Sequence, residues 1–243
     1  MNRLKQFALL FALVITSISH AQWFGGKKVK GNGNMTTVTR TTESYDAIKC
    51  AGSLDYILVK GSEGQLTIEG EENLLEYIVT KVKGDKLIVK VEDGVNLRTS
   101  WNKTIKITIP FEDVSNISLS GSGDLYTKDV INAKTLNVSL AGSGDIILDV
   151  AAQTIDGSVS GSGDLTIKGS TNNLEASVAG SGDFHGFNLD ANNTIVSVAG
   201  SGDAEVVSNA SLKARVAGSG DIEYRGNPDK EDTKVSGSGS ISN

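Results

Sequence analysis

From about Thr36 onward the chain alternates apolar and polar residues with a period of two. Leu136, Val138, Leu140, Gly142, Gly144, Ile146, Leu148 and Val150 share one parity, and Val159, Gly161, Gly163, Leu165 and Ile167 repeat the pattern. Val178, Gly180, Gly182 and Phe184 do the same, as do Val216, Gly218, Gly220 and Ile222. A period of two marks a β-strand with one buried face. Glycines on the apolar parity mark places where the backbone bends or approaches another strand closely.

Those glycines belong to a repeat. The string GSGD begins at Gly121, Gly142, Gly161, Gly180, Gly200 and Gly218, and a final GSGS begins at Gly237. Successive spacings are 21, 19, 19, 20, 18 and 19 residues. A second turn signal follows each motif by roughly ten residues, as in Thr171-Asn172-Asn173 and Ala191-Asn192-Asn193. Each unit is thus a strand pair with two corners, too small to bury its own apolar face. Stacking the units buries one continuous core. The expected fold is all-β: a right-handed parallel β-solenoid, or β-helix, whose coils are the 19–21-residue GSGD units. Variation in coil length is expected at the Asn-rich corner. An antiparallel sandwich of short hairpins gives similar turn spacing. It gains nothing, however, from one tetrapeptide repeated in one frame.

The stretch from Thr36 to Val114 is β-rich but irregular and is expected to cap the stack. It contains a strand at 65–69, a hairpin from Tyr77 to Val91 turning at Gly84-Asp85, and a strand at 104–109 closed by Pro110. The segment from Cys50 to Tyr56 looks like a degenerate unit with Leu54 in place of the second glycine. It is either an early coil or a chance match.

The front of the chain reads as an export signal. Arg3 and Lys5 precede an apolar run from Phe7 to Ile18, and Ser19-His20-Ala21 fits a small-x-small cleavage site. That run is too short to span a bilayer, which needs about 20 residues, and no later stretch is apolar enough. Residues 1–21 are expected as the signal peptide, 22–35 as a flexible leader, 36–115 as the cap and 116–243 as the repeat, with 36–243 one continuous domain. The expected location is the periplasm, the outer-membrane surface or the extracellular space.

Composition narrows the chemistry. The 243 residues carry 23 Lys+Arg, 29 Asp+Glu, 2 His and 1 Cys. Cleavage after Ala21 leaves 21 basic and 29 acidic residues, a net charge of −8, with His185 as the remaining histidine. An acidic chain lacks the basic footprint of a nucleic-acid binder. One cysteine excludes an internal disulfide framework and a Cys-rich zinc module.

The export signal, the opening Tyr45-Asp46-Ala47-Ile48 followed by Gly52-Ser53, the strand from Ile105 to Pro110 and the serial VSGSGD/VAGSGD units carry a resemblance. The sequence resembles the head GIN domain family of auto-transporter adhesins over about residues 38–240. The resemblance implies an all-β solenoid-like fold and a role in adhesion, and brings no catalytic residues.

The parity opposite the apolar one carries small polar residues. In register, Ser122, Ser143, Ser162, Ser181, Ser201, Ser219 and Ser238 form one ladder, and Asp124, Asp145, Asp164, Asp183, Asp203 and Asp221 form another. These are the candidate interaction face. Like charges about 4.8 Å apart repel by roughly 1 kcal/mol per neighbour even in water, so something offsets the repulsion. The expected answer is that each carboxylate caps N–H groups at its own corner, as in an Asx-turn. The alternative is a row of bound Ca²⁺. Each coil, however, has one motif where calcium-binding repeats have two, so no metal or cofactor is assigned.

Lone acids such as Glu175, Glu205 and Glu223 have no repeated partner, His185 reads as an exposed residue, and Cys50 falls on an apolar parity. No catalytic set assembles, and the chain is read as a non-enzyme. Its expected role is a surface or envelope interaction module that meets an unknown protein or glycan, with self-association through the solenoid ends. The alternatives are a purely structural envelope solenoid, a calcium-binding solenoid and a carbohydrate-active enzyme.

Overall fold

The computed structural model describes residues 26–243. The expected signal peptide lies outside the described residues. Ahead of the repeat come β1 (Lys27–Lys30), β2 (Met35–Thr41), β3 (Ala47–Gly52), β4 (Asp55–Lys60) and β5 (Gln65–Glu71). A single helical turn, α1 (Glu72–Leu75), leads to β6 (Ile78–Lys83), β7 (Lys86–Val91), β8 (Val95–Arg98) and β9 (Lys106–Phe111). The repeat supplies β10 (Asn116–Gly121), β11 (Leu125–Thr127), β12 (Ile131–Gly142), β13 (Ile146–Gly161), β14 (Leu165–Gly180) and β15 (Phe184–His185). It continues through β16 (Leu189–Gly200), β17 (Ala204–Val207), β18 (Ser211–Gly218), β19 (Ile222–Arg225), β20 (Lys230–Gly237) and β21 (Ile241–Ser242).

Every pairing within the repeat is parallel and in frame. The first glycines of successive motifs stand opposite one another, from Gly121↔Gly142 through Gly161, Gly180, Gly200 and Gly218 to Gly237. The fold is therefore a parallel β-solenoid rather than a sandwich of hairpins. Pairing also breaks at Lys134, Gln153, Asn172 and Asn192, the second corner of each coil. The extra residues of the long units are absorbed ahead of that corner, whereas the residue that the 18-residue unit lacks falls between Glu205 and Ser211, the stretch that holds its Asn209 corner. The two extra residues of the longest unit sit between Tyr126 and Ile131, and the one extra residue of the 20-residue unit sits between His185 and Leu189.

The inward parity fills the interior: Leu136, Ile146, Leu148, Val150, Ile155, Leu165 and Ile167 are all fully buried. Phe184 is the largest of these in the repeat, and the chain makes room for it with glycine. A Cβ on Gly157 would lie 3.1 Å from the Phe184 ring, and one on Gly186 would lie 2.7 Å away. In the coils around it the Gly157 position is Val138, Ala176, Val196 and Ala214. The missing side chain thus matches the oversized neighbour.

The segment from Cys50 to Tyr56 is a true coil. β3 pairs with β10 and β4 with β11, placing Gly52 opposite Gly121 and Tyr56 opposite Leu125. This coil is not the bottom of the stack, although it comes first in sequence. β7 and β9 pair in parallel with the other edges of β3 and β4, so a later segment slides beneath an earlier one. The hairpin of β6 and β7 turns at Gly84-Asp85. Pro110 lies inside β9 rather than after it. β5 pairs with β9 only as far as Thr108, so the missing Pro110 N–H falls where that edge has no partner strand.

Part of the expected leader is structured. β1 pairs in parallel with β8, Val29 and Leu97 pack against the core, and Gly31 N–H donates to the Arg98 carbonyl. At the other end, β20 carries Glu231 over Leu212 and Thr233 over Ala214, polar residues at inward positions. With Lys230, Asp232 and Lys234 beside them, they give this edge the charge that resists addition of another strand.

Candidate functional site

The GSGD corner is built by contact between coils. Gly161 has φ +131°, outside the range of L side chains, and a Cβ there would lie 2.2 Å from the Gly142 carbonyl oxygen. A Cβ on Gly163 would lie 2.0 Å from the Gly144 oxygen. The intervening Ser162 N–H and the Gly163 N–H both donate to the Gly142 carbonyl, at 2.8 and 3.1 Å, and the same fork recurs at the other motifs. Only glycine lets the corners approach so closely.

The aspartate completes the corner, but not its own. Asp145 N–H donates to Asp124 Oδ1 at 3.0 Å, Asp164 N–H to Asp145 Oδ1 at 3.0 Å, and Asp183 N–H to Asp164 Oδ1 at 2.9 Å. Asp203, Asp221 and Ser240 N–H continue the series onto Asp183, Asp203 and Asp221, at 2.7, 2.7 and 2.6 Å. Each carboxylate caps the N–H of the following coil, where the Asx-turn expectation put the bond within one corner. These charge-assisted bonds oppose the repulsion along the row.

The row extends one residue further than the repeat announces. Asp55 lies under Asp124 by register, hidden from the motif because Leu54 replaces a glycine. Burial raises its pKa, the Asp124 charge adds to the rise, and the hydrogen bond with Thr104 and the Lys106 charge oppose it. Asp55, Asp124, Asp145 and Tyr126 line a cleft of about 220 Å³.

Ser122, Ser143, Ser162, Ser181, Ser201, Ser219 and Ser238 are all exposed. Among the described residues their hydroxyls bond no atom of the chain. Beside them runs a flat sheet face of small outward residues, Ser120, Ala141, Ser160, Ala179, Ala199, Ala217 and Ser236. The second corner has its own ladder, with Asn192 Nδ2 donating to Asn172 Oδ1 at 3.0 Å and Asn193 Nδ2 to Asn173 Oδ1 at 3.1 Å.

One grouping escaped the sequence reading. Asp164, Asp183 and His185 bring carboxylate and imidazole atoms within 4.8 Å of one another, and His185 Nδ1 lies 3.2 Å from Glu205 Oε2. The signal was present: His185 shares the outward parity of Asp183 and stands beside Glu205 in the next coil. Such a set has the donor chemistry for a divalent ion. It is also an ordinary half-buried charge cluster at the surface. Cys50 is fully buried and its thiol pKa is pushed up by that burial, so it packs as an apolar residue. Other clefts, such as one of about 330 Å³ near Asp46 and Lys134 and one of about 410 Å³ near Ser44 and Glu63, are open to solvent.

The repeat and its corners match a known family. The model described as "Putative auto-transporter adhesin, head GIN domain" matches residues 44–228. The chain belongs to this family. Its match takes in the degenerate first coil as well as the six GSGD motifs. Among solved structures, a putative adhesin from Bacteroides fragilis superposes with a TM-score of 0.81 at 24% identity, covering 88% of this chain and 99% of its own. A putative lipid binding protein from Parabacteroides distasonis gives 0.76 at 26%, with 89% and 99% covered. A putative adhesin from Parabacteroides merdae gives 0.71 at 20%, with 89% and 98% covered. No curated protein matches the sequence. Among the described residues, no helix is long and apolar enough to cross a membrane.

Proposed function

We propose that this protein is an exported, non-catalytic interaction module of the bacterial envelope, adhesin-like in role, that meets a protein or glycan along its Ser/Asp corner. One observation carries the reading. The outer atoms of the row, the motif serine hydroxyls and the second carboxylate oxygens, have no partner within the chain among the described residues, while Oδ1 of each aspartate holds the fold. The row therefore presents one hydroxyl and one carboxylate oxygen per coil at a fixed repeat. Many weak polar contacts along such an array add up through multivalency. Family membership supports adhesion. The charged β20 edge argues against strand addition as the mode of binding.

The test is a glycan and envelope-protein array probed with the mature protein and with a Ser143→Ala/Ser162→Ala/Ser181→Ala variant. That variant spares every aspartate cap, so its melting temperature should match wild type. A loss of binding of about tenfold or more supports the reading; undiminished binding overturns it.

A further inference from the structure

The cap end of the rod carries a second surface of different chemistry. Trp101 is 90% exposed, whereas the other large apolar residues on the surface range from 40% to 50%. It sits at the apex of a tight turn closed by Lys103 N–H donating to the Ser100 carbonyl at 3.0 Å. Asn102 supplies the turn's left-handed residue, φ +57°. The turn is anchored rather than loose. Glu71 is fully buried and its carboxylate accepts the Ser100 N–H at 2.8 Å and the Ser100 hydroxyl at 2.6 Å. The same carboxylate accepts the Gly33 N–H, tying the Trp101 turn to the loop that follows β1.

The strands entering these two loops expose cations. β1 and β8 run parallel with Lys28 beside Asn96 and Lys30 beside Arg98; Val29 and Leu97 point inward, and Lys28, Lys30 and Arg98 stand outward. Arg98 is three residues from Trp101. The acidic groups nearby are Glu71, which is buried, Asp93, which is paired with Lys90, and the exposed Glu72, Glu76 and Glu92, of which the last two act on Lys27, itself bonded to Tyr77. On a mature chain of net charge −8, the outward face of β1 and β8 carries Lys28, Lys30 and Arg98 and no acidic residue of its own.

We propose that this face docks on an anionic bilayer surface, with Trp101 seated at the headgroup level and Lys28, Lys30 and Arg98 against the lipid phosphates. An indole held out at a turn apex is an interfacial anchor, amphipathic and low in conformational cost. Lysine and arginine gain most near an anionic surface. The acidic remainder of the chain is repelled by the same surface, which orients the rod outward from it. This assignment stands apart from the role of the Ser/Asp corner.

The mature protein is sedimented with vesicles of phosphatidylcholine alone and with 30% phosphatidylglycerol, at low and high salt. Binding is expected only to the anionic vesicles and to weaken with salt. Arg98→Gln is expected to lower partitioning about fivefold at low salt, and Trp101→Ala by at least as much, both with unchanged melting temperature. Trp101→Phe should retain most of the binding, because an aromatic anchor remains. Equal binding to neutral vesicles, or full binding by both Trp101→Ala and Arg98→Gln, overturns the proposal. So does binding to an acidic polysaccharide with none to vesicles.

Discussion

Each residue of the motif has its own task, and the tasks separate by substitution. The two glycines admit the neighbouring backbone, the serine faces solvent and the aspartate reaches the next coil. Gly163→Ala puts a Cβ 2.0 Å from a carbonyl oxygen that is itself locked in the stack. It should cost at least about 3 kcal/mol, read as a fall in the denaturant midpoint or as loss of soluble protein. A second residue-scale prediction concerns Glu71. Burial pushes its pKa up, but the hydrogen bonds from the Ser100 hydroxyl, the Ser100 N–H and the Gly33 N–H outweigh burial and hold it below the ordinary 4.5. A lowered folded-state pKa stabilises the fold above the unfolded value and loses that contribution as pH falls through the folded one. Glu71→Gln should therefore lower the melting temperature near neutrality and lose less than wild type on acidification below about pH 4.5. A parallel pH dependence of the two proteins would contradict this role. Residue types and parities in the motif were legible in sequence; the direction of the aspartate bond was not. Nothing in a one-dimensional repeat says whether a side chain turns back on its own corner or reaches across to the next.

At the scale of the element, the coil is set by the match of its inward residues to its neighbours. Phe184 fills space that Gly157 and Gly186 leave open, so Phe184→Ala leaves a cavity lined partly by backbone that cannot collapse. Its expected cost is about 3–5 kcal/mol, measured by denaturant unfolding, and a value under about 1 kcal/mol would show that the ring is not a packing centre. The corners, the hairpin at Gly84-Asp85 and the strand parities could all be read from alternation and turn residues. The position of β7 and β9 beneath β3 and β4 could not, because the chain doubles back and carries no repeat at that point to mark the register. Pro110 misled for a related reason. Proline stops a strand only where its N–H would have paired, and the edge of β9 that faces β5 has no partner at Pro110, although β4 still pairs along the other edge. β1 hid in a Gly/Lys/Asn-rich stretch because its two inward contacts, Val29 and Leu97, lie far apart in sequence.

At the scale of the molecule, coils are coupled to their neighbours alone, so stability is nearly a sum of interfaces along one axis. The aspartate row is part of each interface, since it joins every coil to the next at the corner where the glycines approach. Held by these hydrogen bonds, the row is expected to need no calcium. The melting temperature of the protein should be the same in calcium and in excess chelator, and a calcium-dependent rise of several degrees would make the row a cation site. The central claim, that each GSGD aspartate braces the following coil, is tested most directly by amide hydrogen exchange on Asp164→Ala. The claim predicts faster exchange at Asp183, whose N–H has lost its acceptor, with Asp145 still protected by Asp124; Asp183 exchange unchanged from wild type would contradict it.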